Sequence, residues 1–270
     1  MTQLKKETTN LLAKEASLSA MNLGVGLTFL RKYNFAHLGF IYQSFFSLSI
    51  GIERLIKLIL LYEYILLNDS YPPSNYLKSK GHSIIKLFNE IKPLIEKYKC
   101  QEYFDRLETD SIYPIILNNL SDFATANRYF NLNELSGFTI TQDPIGRWNS
   151  EINSMIIERH FDANSPKNKQ AMEIAKRFSS STIVKHTNEN DDEINDYKNF
   201  MFASLQVEVK QKYSMFYTFC IIKALCELQR NQNNSLRSNI HLDEFFMIFR
   251  EKYTNAKRQK SWNPYYPYKF

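Results

Sequence analysis

Arg31 and His37 form an arginine–histidine pair with five residues between them. An imidazole can accept or donate the proton of an attacking hydroxyl or a leaving oxygen, because its charge changes near neutral pH. A guanidinium can stabilise the negative charge that develops on phosphorus. The pair therefore combines the proton-transfer group and the charge-stabilising group that phosphodiester chemistry can use. The alternative is a loop arginine followed by a histidine at the start of a helix.

Glu53, Lys57 and His82 form a second group of residues that could do chemistry. Glu53 and Lys57 are four residues apart, so on a helix they share one face, where such a pair contributes about 0.2–0.5 kcal/mol. The simplest interpretation is a solvated ion pair. His82 follows Gly81 and could bind a ligand or transfer a proton. A role in capping or orienting its helix is the simpler interpretation.

Basic residues later in the chain could bind phosphate. Arg128 is one candidate, and the C-terminal tail adds Lys257, Arg258, Lys260 and Trp262 among several tyrosines. Cations can hold a phosphate backbone while aromatic rings stack on bases. The alternatives are that Arg128 pairs with a glutamate or with the backbone, and that the tail packs on the helices or on a partner subunit.

The composition is typical of a globular protein that can bury a core. Hydrophobic residues make up 44% of the chain and charged residues 23%. Only seven glycines and eight prolines are present, which favours a few long elements over a many-stranded sandwich or barrel. The net charge of +6 permits a nucleic-acid partner without requiring one.

No sequence pattern indicates a cofactor, a metal ion or a membrane span. The chain shows no glycine-rich phosphate loop, no zinc-type cluster and no Ser-His-Asp arrangement, so we expect no cofactor and no metal. Three cysteines without ligand spacing, and the lack of an apolar leader segment, predict a cytoplasmic protein. Charges inside the apolar stretch 38–67 argue against a spanning helix, because each is costly at mid-bilayer.

Hydrophobic periodicity predicts an all-α, multi-helix bundle around a long central helix. We expect residues 1–130 to form one helical bundle and residues 131–270 to form a helical region packed on it, unless the two are one continuous domain. The predicted helices span residues 4–31, 35–67, 83–98, 101–109, 112–128, 145–161, 167–180, 193–230 and 241–257.

Turn-forming residues interrupt this pattern. Pro93 is expected to mark a kink or a boundary between two short helices. Residues 131–143 are expected to be irregular, with a run at 138–141 that could be extended. The polar runs 186–196 and 231–239 are expected to be loops.

The order of Glu53, Lys57, Gly81 and His82 resembles the HEPN superfamily (higher eukaryotes and prokaryotes nucleotide-binding). In that family a long helix with a Glu-x-x-x-Lys-type signature is followed, after a loop, by a Gly-His or Thr-His pair that opens the next helix. The resemblance covers roughly residues 8–130. Many members are metal-independent ribonucleases that use an arginine and a histidine a few residues later, and others are non-catalytic dimerising or binding modules.

Only Arg31 and His37 have the spacing of the family's catalytic pair, and they precede the long helix, whereas that pair usually follows the Gly-His helix. At the later position stands Arg128, with no histidine close behind it. The resemblance therefore implies a binding or dimerisation module that forms a homodimer and also binds RNA or a partner protein. It further implies a place in a prokaryotic defence or toxin–antitoxin type system. The alternative is a metal-independent ribonuclease that uses Arg31 and His37, or an arginine and a histidine brought together across a dimer.

Overall fold

The computed structural model describes residues 6–138, 142–236 and 241–264. The chain is about 75% helical and has 2% strand, which confirms the predicted all-α, multi-helix class. The α-helices are α1 (Lys6–Leu30), α2 (Gly39–Asn68), α3 (Tyr76–Ser79), α4 (Ile84–Lys97), α5 (Gln101–Thr109), α6 (Ile112–Thr125), α7 (Phe130–Leu135), α8 (Pro144–Trp148), α9 (Ser154–His160), α10 (Pro166–Phe178), α11 (Tyr197–Leu236) and α12 (Tyr253–Ala256). The remaining elements are 3₁₀ turns at Asn127–Tyr129 and Leu242–Arg250, a π-helical turn at Asn149–Asn153, and the antiparallel strands β1 (His186–Thr187) and β2 (Glu193–Ile194).

Helices α1 and α2 pack closely in antiparallel orientation because small residues line their contact. Ser19 donates a hydrogen bond to the Gly51 carbonyl at 2.9 Å, and Ser44 donates one to the Gly26 carbonyl at 2.8 Å. A Cβ atom at Gly51 would lie 2.9 Å from the Leu23 backbone nitrogen, so no larger residue fits without a shift. In the described part of the chain, no helix is long and apolar enough to cross a membrane.

Helix α11 is a second long element and packs against α1, α2, α9 and α10. It continues beyond its predicted end, so the expected loop at 231–239 is wrong for residues 231–236. Buried polar partners explain the difference, because Gln232 donates to Glu63 at 2.9 Å and the Tyr62 hydroxyl donates to Asn233 at 2.7 Å. Hydrogen bonds of this kind offset part of the cost of burying a polar run in a helix.

Three other boundaries differ from the expectations. Helix α4 is continuous through Pro93, so this proline marks no boundary between two helices. Part of the stretch 131–143 is helical because α7 occupies its start, and residues 139–141 of the expected extended run lie outside the described residues. The stretch 186–196 contains the β1–β2 hairpin, in which His186 lies opposite Ile194.

The last predicted helix, 241–257, is also wrong as a single element. A 3₁₀ segment occupies Leu242–Arg250, and α12 follows it from Tyr253. The backbone is extended at Glu251, with φ −53° and ψ 153°, which ends one segment before the next begins.

The buried apolar side chains form one cluster that draws on both halves of the chain. Trp148 is fully buried, with its ring 4.9 Å from that of Phe45. Trp262 is 1% exposed and stacks on Phe219 at 4.9 Å between ring centroids. Both tryptophans are therefore packing anchors, and the two halves share one core.

Candidate functional site

Glu53, Lys57 and His82 meet in the structure, although 29 residues separate Glu53 from His82. One carboxylate oxygen of Glu53 lies 2.8 Å from the Lys57 ammonium and 3.0 Å from His82 Nδ1. The Glu53 and Lys57 side chains are only 15% and 17% exposed. The Glu53–Lys57 ion pair, expected to be solvated, is therefore largely shielded from solvent, and Glu53 also contacts His82.

Local turn geometry positions His82. Gly81 has φ +67°, a left-handed conformation that glycine adopts without strain. Ser83 caps α4, because its hydroxyl accepts a hydrogen bond from the Lys86 backbone at 3.4 Å. The Ser83 hydroxyl also lies 3.3 Å from that of Ser121, which fixes the start of α4 against α6. His82, at the junction, keeps a side chain that is 70% exposed.

A cleft of about 590 Å³ opens beside this histidine. Side chains of α2, the loop before α4, and the end of α6 with the following turn form its wall. The lining residues are Ile50, Glu53, Arg54, His82, Ala124, Thr125, Ala126, Arg128 and Tyr129.

Arg128 supplies a positive charge in the cleft that no acid neutralises. Its guanidinium donates to the Ala124 carbonyl, and its own carbonyl accepts from the Tyr42 hydroxyl. Within the described ranges it makes no ion pair, whereas Arg54 pairs with Glu15 at 2.6 Å. The backbone pairing foreseen for Arg128 is confirmed, and the guanidinium also lines the cleft.

The arrangement is suited to an anion. When Glu53 accepts the proton of His82 Nδ1, Nε2 is the nitrogen left for a ligand, and it has no partner among the described residues. Lys57 offsets the charge of Glu53, and Arg128 adds a positive charge to the lining that has no ion-pair partner among the described residues. Tyr129 is 57% exposed at the rim and offers an aromatic ring next to these groups.

The structure does not bring Arg31 and His37 into contact. Two side-chain nitrogens of Arg31 are buried and have no hydrogen-bond partner in the described part of the chain. Burial lowers the pKa of this guanidinium, while Glu208 opposes the shift. His37 lies in an exposed turn, where its Nδ1 is 3.1 Å from the Asn34 side-chain oxygen. The spacing of Arg31 and His37 in the sequence therefore does not bring their side chains together in the structure.

The candidate residues of the tail separate in the structure. Trp262 is buried, and its backbone N–H donates to Thr28 at 2.9 Å, so its ring is not available to stack on a base. Lys257 lies over the Phe216 ring at 4.5 Å. Arg258 and Lys260 are exposed. The tail is packed on the helices as far as the structure describes it.

Sequence reasoning missed the contribution of Arg54 and Tyr129 to the cleft. Each directly follows a residue that was singled out, namely Glu53 or Arg128. A charged residue inside an apolar helix is a usable signal for Arg54. Tyr129 has no such signal, because its exposure depends on the turn that ends α6.

No protein-family model matches this chain, and comparison with curated proteins and with solved structures finds no match.

Proposed function

We propose that this protein is a HEPN-like binding module that captures a phosphate-bearing ligand, a nucleotide or RNA, in the cleft beside His82. The observation that carries the proposal is the convergence of His82 and Arg128 on one cleft, with Glu53 holding the histidine. Arginine is a donor suited to phosphate oxygens, and the second nitrogen of a histidine becomes one when the ring carries both protons.

The size and lining of the cleft support a nucleotide-sized ligand. Its volume of about 590 Å³ falls within the range typical of small-molecule sites, about 300–1,000 Å³. The wall combines Arg128 with the exposed ring of Tyr129. A cation beside an aromatic ring can hold a phosphate while the ring stacks on a base.

Isothermal titration with adenosine diphosphate and with a short single-stranded RNA tests this binding. Arg128→Ala should weaken affinity about 10-fold to 100-fold, because a hydrogen bond to a charged group contributes about 1.5–3 kcal/mol. His82→Ala should also weaken it. Lys185→Ala removes an exposed charge outside the cleft and serves as the matched control. Equal affinities for all four proteins, or no binding by the native protein, would refute the proposal.

A second candidate function is metal-independent RNA cleavage in the same cleft. It is favoured by the 3.0 Å contact of Glu53 with His82 Nδ1, which fixes the proton on that nitrogen and leaves Nε2 to accept one from a 2′-hydroxyl. Arg128 would then stabilise the charge that develops on phosphorus. This assignment differs from the pair Arg31 and His37 expected from spacing.

Incubation with labelled RNA, with and without a chelator, decides between binding and cleavage. Cleavage that persists with the chelator and is lost in His82→Ala and Arg128→Ala establishes the nuclease in this cleft. Loss in Arg31→Ala and His37→Ala instead assigns it to that pair. No cleavage by the native protein, together with nucleotide binding, leaves the binding module as the function.

Homodimerisation, and a place in a prokaryotic defence or toxin–antitoxin type system, are part of the same proposal and rest on the resemblance. Exposed apolar side chains directly after the cleft residue Tyr129 also support an interface, because a soluble monomer rarely clusters them. They are Leu132 at 64%, Leu135 at 86% and Phe138 at 58% exposure. Light scattering that reports a monomer at micromolar concentration would reject the dimer.

A further inference from the structure

Cations and aromatic rings cluster where the end of α9, the middle of α11 and the residue after α12 meet. We call this cluster the basic–aromatic surface. It shares no residue with the His82 cleft. Its members are Arg159, His160, Lys212, Tyr213, Tyr217 and Lys257.

Ring contacts hold the surface in a defined geometry. The His160 ring stacks on Tyr213, with centroids 3.5 Å apart and planes 5° apart, and His160 Nε2 lies 2.8 Å from the Tyr217 hydroxyl. The ammonium groups of Lys212 and Lys257 lie 5.3 Å and 5.9 Å from the centroid of the same Tyr213 ring. Both lysines therefore lie beside one partly exposed aromatic ring, which His160 covers on one face.

Part of the positive charge of this surface has no acidic partner among the described residues. Arg159 donates to both carboxylate oxygens of Asp110 at 2.9 Å, so that acid is already engaged. Neither Lys212 nor Lys257 forms an ion pair in the described part of the chain. The pKa of His160 is lowered by burial, and also by Lys257, Arg159 and Lys212, which agrees with a locally positive potential.

The C-terminal segment presents Lys257 from a packed position. The Lys257 ammonium lies 4.5 Å from the Phe216 ring, and the buried Trp262 anchors the chain five residues later. A cation held in place loses less conformational entropy when it binds an anion than one on a free arm. The exposed Arg258 adds a further positive charge next to it.

We propose that the basic–aromatic surface binds the backbone of single-stranded nucleic acid, with Lys212 and Lys257 contacting phosphates beside Tyr213. Cations next to an exposed part of an aromatic ring are the combination that single-strand binding uses, because the cations neutralise phosphates and the ring can contact a base. An acidic peptide would use the cations alone and would gain nothing specific from the ring.

Fluorescence anisotropy with a labelled single-stranded oligonucleotide, measured over a series of salt concentrations, tests the proposal. The Lys212→Ala/Lys257→Ala double variant should bind at least 10-fold more weakly at low salt. The slope of log affinity against log salt should fall by about 1.4, since each phosphate contact contributes about 0.7. Lys14→Ala/Lys169→Ala removes the same charge from exposed, unpaired positions and should change affinity less than twofold.

Further arms separate the explanations. Replacing both lysines by arginine should restore most of the affinity, which a folding defect would not allow. Arg128→Ala should leave the salt slope contributed by Lys212 and Lys257 intact, so that failure here is distinguishable from failure of the cleft proposal. An equal loss in the control variant, or equally tight binding of a polyglutamate peptide of matched charge, would overturn the proposal.

Discussion

Replacing Trp262 by alanine should destabilise the fold by about 3–5 kcal/mol. The indole is 1% exposed and stacks on Phe219 and Phe249, at 4.9 Å and 6.0 Å between centroids. A large aromatic side chain buries about 150–250 Å². At about 25 cal/mol per Å² this contributes about 4–6 kcal/mol, of which alanine retains only a small part. The expected loss is a large fraction of the 5–15 kcal/mol that stabilises a typical domain.

Trp262→Phe is the matched control for the ring. The Trp262 indole nitrogen is buried and has no hydrogen-bond partner among the described residues, so burying its N–H costs about 1–3 kcal/mol. Phenylalanine removes this donor but leaves a small gap, and the two effects oppose each other. We expect Trp262→Phe to stay within about 1.5 kcal/mol of the native protein. Lys260→Ala, at an exposed position, should stay within about 0.5 kcal/mol.

Urea denaturation followed by circular dichroism measures these differences, because the helical signal does not depend on the indole that is removed. Linear extrapolation gives the free energy of unfolding of each variant. A loss below about 1 kcal/mol for Trp262→Ala would refute the reasoning. It would mean that the C-terminal segment contributes little to the core and is free to act as a binding arm.

Three further predictions concern pH, thiols and close packing. Burial is the main cause that lowers the pKa of His160 in the folded protein, so the unfolded state binds the His160 proton at a higher pH than the folded state does. The free energy of unfolding should therefore fall as the pH drops below 6.5, the ordinary pKa of histidine. Urea titrations at a series of pH values around 6.5 should show a smaller fall for His160→Gln. The three free cysteines, Cys100, Cys220 and Cys226, are buried. Burial raises the thiol pKa of Cys100 and of Cys220 to about 11. A thiol reagent at neutral pH should therefore label no cysteine in the native protein and all three in urea. Gly51→Ala should lower the melting temperature, because the added Cβ would overpack Leu23 at a cost of about 1–3 kcal/mol. Gly39→Ala is the control and should not lower it, because a Cβ at that position meets no atom within 4 Å.

The sequence predicted part of the candidate site. The order of Glu53, Lys57, Gly81 and His82 pointed to the elements that build the cleft, because helical spacing and a turn glycine are local signals. Arg128 was named as a phosphate candidate with no histidine close behind it in the sequence. Arg128 and His82 line the same cleft because α6 packs beside α2 and α4, and no local sequence pattern encodes that packing.

The same division holds for the tail and for α11. The sequence left base stacking open as an alternative to packing for Trp262, since composition does not report burial, and only the fold places it at 1% exposure. The polar residues Gln232 and Asn233 resemble a loop locally, yet they lie in a helix because Glu63 and Tyr62 supply buried partners. Neighbouring residues in sequence thus determined that this protein is all-helical, since periodicity and a shortage of glycine and proline act over a few turns. Packing between helices far apart in the chain alone decided which side chains are buried, which are paired and which meet in the cleft.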